Sequence, residues 1–201
     1  MIPFSLQPEP AAFDADVRRK GLAWLQNTPG AAERRRPHPH WRPCLPDLRT
    51  AFRGLCGYAA MRIDCKGSVD HFKSWNATRA TQPELAYEWS NFRFCSTWIN
   101  AVKKEDAAVL DPFVVQNGWF RIVLPTMELE TTAEVPDQYR NLAQQTLDNL
   151  HLRDDEDLVD FRREWYEAYK SGDATFGLLE EWAPLVAMAV KDLVDAGKPL
   201  P

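Results

Sequence analysis

An Asp-His pair at Asp70-His71, asparagines at Asn91 and Asn100, and a lysine at Lys103 are the residues of this 201-residue chain best placed to share chemistry. Twenty residues separate His71 from Asn91, and nine separate Asn91 from Asn100. An Asp-His on a short strand, an asparagine on a partner strand and an asparagine on the next helix can converge on one metal ion. Taken singly, each residue has a plainer reading. His71 on a strand is more often a structural histidine, Asn91 a turn or cap residue, and Asn100 a solvated helix position. Only the four pieces together, in order and spacing, carry the chemical reading.

The elements that must position them follow from the local pattern. Ser68 to Phe72 reads as a strand, with Val69 and His71 on one face and Asp70 and Phe72 on the other. Strict alternation separates Asp70 from His71 unless the strand ends there. Asp64-Cys65-Lys66-Gly67 reads as the turn leading in from a strand over Tyr58–Ile63, with Gly67 supplying a positive φ. A polar loop (73–83), a helical turn (Glu84–Tyr87), a second strand (Trp89–Phe94) and a helix over 95–104 complete the set. On that helix Trp98 and Val102 share one face and Asn100 lies on another.

Upstream, residues 12–26 form an amphipathic helix in which Phe13, Val17, Leu22 and Leu25 recur at helical spacing, weakened by about 1 kcal/mol at Gly21. Residues 27–46 are rich in Pro, Arg and His, too proline-dense for regular structure, and read as a basic arm or long functional loop. His38 and His40 alternate there with Pro37 and Pro39, as a solvated basic loop rather than a metal site. Helix resumes at Pro46, with Leu48, Phe52 and Leu55 on one face. Downstream, Asn117-Gly118 reads as the turn of a hairpin between two apolar runs. Helices follow over Asp137–Leu150, Asp154–Lys170 and Ala174–Ala196, the second opened by four acids that suit its dipole. Trp75, Trp89, Trp98 and Trp119 read as core residues.

Composition sets the frame. At 45% hydrophobic and 26% charged, the chain has the make-up of a soluble globular protein. It shows no targeting segment, and its longest apolar run falls far short of the ~20 residues of a membrane helix. Cys44, Cys56, Cys65 and Cys95 form no CxxC pair, and reduced thiols in the cytoplasm are expected. The net charge of −5 conceals a split. Residues 34–104 hold thirteen Arg and Lys against five Asp and Glu, whereas residues 105–201 hold eight against twenty. The positive charge therefore surrounds the candidate chemistry, where a polyanion would bind.

Three segments, VDHF (69–72), AYEWSN ending at Asn91 and INAVK (99–103), resemble in order and spacing the ββα-metal site of the HNH nucleases. The subgroup it is most similar to is that of stand-alone bacterial HNH proteins of retron- and Septu-type anti-phage systems, in which an LDPF segment also recurs, here Leu110 to Phe113. The resemblance covers about residues 56–113. It implies an α+β fold: a ββα-metal core in a mostly helical, single-domain scaffold. Its parts would be an N-terminal helix, arm and helix (1–55), the core (56–113), and a hairpin with acidic helices packing on it (114–201). It also implies a metal-dependent endonuclease, acting on DNA or else RNA, in anti-phage defence.

By the same resemblance, His71 is the general base, with an unperturbed pKa near ~6.5 suited to neutral pH, and Asn91 holds it in orientation. Asp70 and Asn100 ligate Mg2+ or Mn2+. Arg34, Arg35, Arg36, Lys73, Arg93, Lys103 and Lys104 contact phosphates. Many relatives add two CxxC pairs around a structural zinc. Here Ser96 and Ile99 occupy one pair's positions, Cys95 is out of register, and Ala59 sits three residues after Cys56. No structural zinc of that kind is expected. Other readings are a secreted antibacterial nuclease toxin and a catalytically decayed binding subunit. A further reading is an enzyme-free scaffold whose acidic C-terminal helices dock a partner such as an ATPase, a role that can coexist with the nuclease; the decayed subunit would likewise belong to an ATPase-containing complex.

Overall fold

Among the described residues, four short strands pair as two separate two-stranded antiparallel sheets, and the other elements are helical. The computed structural model describes residues 1–63, 67–103 and 108–201. The expected turn at Asp64-Cys65-Lys66 and the residue Lys104 lie outside the described residues. The α+β class expected from the sequence is present. The chain forms two compact units, Ser5–Gly54 with Ile63–Ala107, and Met1–Phe4 with Leu55–Arg62 and Ala108–Pro201.

The first unit carries every described candidate residue. A π-helical turn, Asp14–Arg18, runs into helix α1 (Arg19–Asn27), close to the expected 12–26. Phe13 and Val17 bury their side chains. Gly21 is where α1 meets the Tyr87 ring: an added Cβ would lie 2.1 Å from Tyr87 Cγ. The glycine that weakens the helix locally thus permits its tertiary contact. Arg18 grips both carboxylate oxygens of Glu88, at 2.9 and 3.1 Å, and also bonds Glu9.

The arm contains only two short 3-10 turns, Ala31–Glu33 and Arg42–Cys44. Helix α2 (Leu45–Ala51) starts with proline in its first turn and buries Leu48. It stops earlier than its apolar spacing suggests, because Arg53 and Gly54 turn left-handed at φ 56° and 74°.

Strands β1 (Ser68–His71) and β2 (Phe92–Cys95) pair antiparallel, with Asp70 opposite Arg93 and His71 opposite Phe92. Between them come a short helix α3 (Trp75–Thr78) and 3-10 turns at Pro83–Tyr87 and Trp89–Asn91. The second strand therefore starts at Phe92 instead of Trp89. The lack of a side chain at Gly67 makes room for Phe94, whose ring a Cβ would meet at 2.3 Å. Helix α4 (Thr97–Val102) is capped by Ser96, whose Oγ accepts the Ile99 N–H at 3.1 Å. Trp75 and Trp89 are buried as expected, but Trp98 is 37% exposed.

In the second unit, Trp119 is buried, and β3 (Phe120–Val123) pairs with β4 (Glu128–Thr131). The hairpin turn is the segment after Val123, where Met127 takes φ 62°. Asn117-Gly118 is a turn ahead of β3 and joins no pair of strands among the described residues. The expected strand over Tyr58–Ile63 is reduced to one bridge, Leu55 to Arg62. Arg62 then donates its N–H to the Trp182 carbonyl at 2.9 Å, so this stretch belongs with the C-terminal helices.

Helices α5 (Asp137–Asn149) and α6 (Glu156–Ser171) match expectation, and Gly172 ends α6 left-handed at φ 85°. The expected last helix is two, α7 (Phe176–Trp182) and α8 (Pro184–Asp195). Pro184 has no N–H to continue α7, and Ala183 swings to φ −139°. Arg162 is buried here and donates to the carbonyls of Met127, Leu152 and Arg153. No helix among the described residues is long and apolar enough to cross a membrane.

Candidate functional site

His71 is the last residue of β1, and its half-buried ring stands edge-on to Trp41 at 4.6 Å and to Phe92 at 5.2 Å. Nε2 lies 3.0 Å from the Ala86 carbonyl. A carbonyl only accepts, so the proton sits on Nε2 and Nδ1 keeps its lone pair. Burial lowers the imidazole pKa; the Ala86 contact and Asp70 pull the other way, and Lys103 adds to the lowering. The ring is therefore neutral at neutral pH, with one nitrogen able to take a proton.

Asn91 does not touch that ring. Its Oδ1 accepts the Lys73 N–H at 2.7 Å, and its Nδ2 donates to the carbonyls of Lys73 and Leu85 at 3.0 and 2.9 Å. Its own carbonyl accepts the Phe72 N–H at 2.9 Å. Asn91 thus clamps the exit of β1 to the turn bearing Ala86, one residue from the carbonyl that orients His71. Its link to His71 runs through the backbone of that turn.

Asp70 and His71 face opposite sides of the ladder, yet both line one cleft of about 620 Å3, with Asn100 and Lys103. Ser68 and Val69 line it too, so the cleft runs along β1 and takes in residues from both faces of the strand. Asn100 donates from Nδ2 to the Val69 carbonyl at 3.3 Å. The opposite wall comes from the arm: Arg35, Arg36, Trp41 and Arg42. The arm is held by aromatic and basic donors. Trp75 Nε1 and Arg79 Nη1 both donate to the Arg34 carbonyl, at 2.9 and 3.2 Å, and the Tyr87 hydroxyl donates to the His38 carbonyl at 3.0 Å. His38 and His40 pack ring to ring at 4.2 Å.

Several expected phosphate contacts are placed differently. Arg93 is 3% exposed, and its Nη1 donates to the Ser90 and Phe92 carbonyls at 2.8 and 2.9 Å, so it is a core residue. All four residues of β2 are buried, Arg93 with them. Lys103 Nζ sits 2.9 and 2.7 Å from the two oxygens of Asp70, a pair in which each side chain is 6% exposed. The Arg34 guanidinium lies over Trp24 at 5.9 Å, and Arg34 is not among the cleft-lining residues. Lys73 is exposed, and Lys104 lies outside the described residues. Two further cleft residues, Trp41 and Arg42, carry no motif that singles them out in the sequence. Their signal is position alone, at the end of the same Arg-, Pro- and His-rich run.

The donor set admits a hard cation. Asp70 offers carboxylate oxygens, and Asn100, having spent its N–H on Val69, retains its amide oxygen. Among the described residues no group of three or more His, Cys, Asp or Glu gathers to hold a metal. Cys44, Cys56 and Cys95 are buried thiols, and burial pushes the Cys44 thiol up to about 12. Compared with known proteins, the chain matches no family model and no curated sequence.

Proposed function

We propose that the chain hydrolyses nucleic-acid phosphodiester bonds, with DNA as the substrate, from the cleft beside β1. The observation that carries this reading is the placement of His71, its Nε2 against the Ala86 carbonyl and its ring in a cleft walled by Arg35, Arg36 and Arg42. The arginines hold the phosphate as planar forks. Nδ1 of His71 takes a proton from water as the water oxygen bonds to phosphorus. The bond to the 3′-oxygen breaks, and solvent protonates the leaving oxygen. Asp70 and Asn100 are the residues that would hold Mg2+ or Mn2+, which supplies charge neutralisation on the phosphate and leaving oxygen. A place in anti-phage defence beside an ATPase partner goes with this reading and rests on the resemblance alone.

The test is nicking of supercoiled plasmid with Mg2+ or Mn2+, wild type against His71→Ala, alongside single-stranded DNA and RNA. Loss of cleavage in the variant is expected. Full cleavage by it overturns the reading, and cleavage of RNA alone replaces the substrate.

One observation favours a second reading, a nucleic-acid-binding subunit that no longer cleaves. Asp70 already has a counter-charge in Lys103. Tight, salt-dependent DNA binding with no cleavage under any divalent ion would support it.

A further inference from the structure

The surroundings of Lys103 are those of a bound cation. The residue follows α4 directly, three positions after Asn100, so the two side chains share a face of that turn. Its ammonium meets four oxygens: both of Asp70 at 2.9 and 2.7 Å, and the carbonyls of His71 and Phe72 at 3.3 Å each. The Phe72 ring centroid lies 5.4 Å away. With each partner 6% exposed, little water screens the pair. A carboxylate, two carbonyls and an aromatic face are what a protein uses to replace a cation's hydration.

We infer that Lys103 is the resident counter-cation of Asp70, with which a divalent ion must compete, and that it sets how tightly this chain takes Mg2+ or Mn2+. The inference rests on the proposed cation role of Asp70 and goes beyond it. An ammonium is a compact point charge on a flexible stem, able to withdraw when a second cation arrives. A guanidinium would grip both Asp70 oxygens as a fork and yield less readily. Removing the charge would leave the buried Asp70 carboxylate without the ammonium that now neutralises it, raising its affinity for any hard cation. Lys103 thus acts opposite to the phosphate contact expected from its place in the motif.

The experiment measures Mn2+ binding directly, by calorimetric titration and by electron paramagnetic resonance of the free ion, on the full chain without nucleic acid. Lys103→Met should bind Mn2+ at least tenfold tighter than wild type, about 1.4 kcal/mol, and Lys103→Arg more weakly than wild type. Asp70→Asn should abolish binding in either background. Circular dichroism melts establish which variants fold. Should Lys103→Met fail, Lys103→Gln, which keeps a donor to Asp70 without the charge, should fall between wild type and the tenfold gain. Equal affinity in wild type and the neutral variants overturns the inference, as does binding by none of them. Tighter binding without cleavage by any variant at saturating Mn2+ leaves Lys103's role standing and removes the nuclease reading instead.

Discussion

Asn91 and Lys73 exchange two hydrogen bonds, the Lys73 N–H to Asn91 Oδ1 at 2.7 Å and Asn91 Nδ2 to the Lys73 carbonyl at 3.0 Å. The side chain mimics a strand partner just beyond the end of β1. Its second donation, to Leu85, carries the clamp to the turn that holds His71. Asn91→Ala leaves these backbone groups without their partner, at about 1–3 kcal/mol for a buried group left unsatisfied. A stability loss of about 2–4 kcal/mol in urea denaturation is expected, with cleavage reduced in step. A loss under about 0.5 kcal/mol would mean that the clamp is dispensable.

Gly21→Ala tests the helix contact with an inverted sign. In an exposed helix the change stabilises by up to about 1 kcal/mol. Here the new Cβ would lie 2.1 to 2.4 Å from three Tyr87 ring carbons, and overpacking of this kind costs about 1–3 kcal/mol. Tyr87 also holds the arm through His38, so DNA affinity should fall together with the melting temperature. A stabilised variant would show that the helix and ring do not meet.

The arm's role in binding is read from salt dependence. Arg35→Ala, Arg36→Ala and Arg42→Ala together should lower the slope of log affinity against log salt by about 2–3, near 0.9 for each phosphate that the protein no longer neutralises. Arg34→Ala, away from the cleft, should leave the slope in place. A slope that responds to Arg34 and not to the triple change would move the interface elsewhere.

His71→Asn, a smaller change than removal of the ring, should reduce cleavage by about 10^2-fold or more if the imidazole is the base. Chelation by EDTA should stop cleavage while leaving the melting temperature within a few degrees of its starting value, because neither unit's hydrophobic core includes the cation's proposed ligands. A melt shifted by more than ten degrees would reveal a structural metal.

His40 predicts an acid-sensitive fold. Its pKa is lowered from the ordinary 6.5 by burial first, then by His38 beside it and by Lys20, and the Tyr87 ring packs against it at 6.1 Å. The unfolded chain takes up the proton at a higher pH than the folded one. Stability is therefore full above about pH 6.5 and falls as the pH drops below it; one proton sets a ceiling of about 1.4 kcal/mol per pH unit, and the part-exposed, water-screened imidazole should show only a fraction of it. Urea denaturation at pH 7.5 and 5.5 measures the slope, and His40→Gln should reduce it, leaving the share due to His71, whose pKa burial lowers as well. An unchanged slope assigns the proton uptake to other groups.

What could be read along the chain was what neighbouring residues decide. Helical periodicity located α5 and α6, and the order strand, turn, strand, helix was legible around Asp70, His71, Asn91 and Asn100, because spacing and capping act within a few residues. Local pattern failed where a distant partner chose the outcome. Among the described residues, Tyr58–Ile63 has the residues of a strand but finds one bridge instead of a ladder, and Asn117-Gly118 has the residues of a hairpin turn without strands to join. Pro184 was visible, yet its place at a helix start set the break before it and not within the first turns of one long helix. The charges show the same division. Sequence put a surplus of basic residues around the cleft, but only tertiary packing separated Arg35, Arg36 and Arg42 on its wall from Arg93 in the core and Lys103 on Asp70. A charged side chain's worth depends on the water and counter-charges within a few ångströms of it, and those neighbours come from strands and turns remote in sequence.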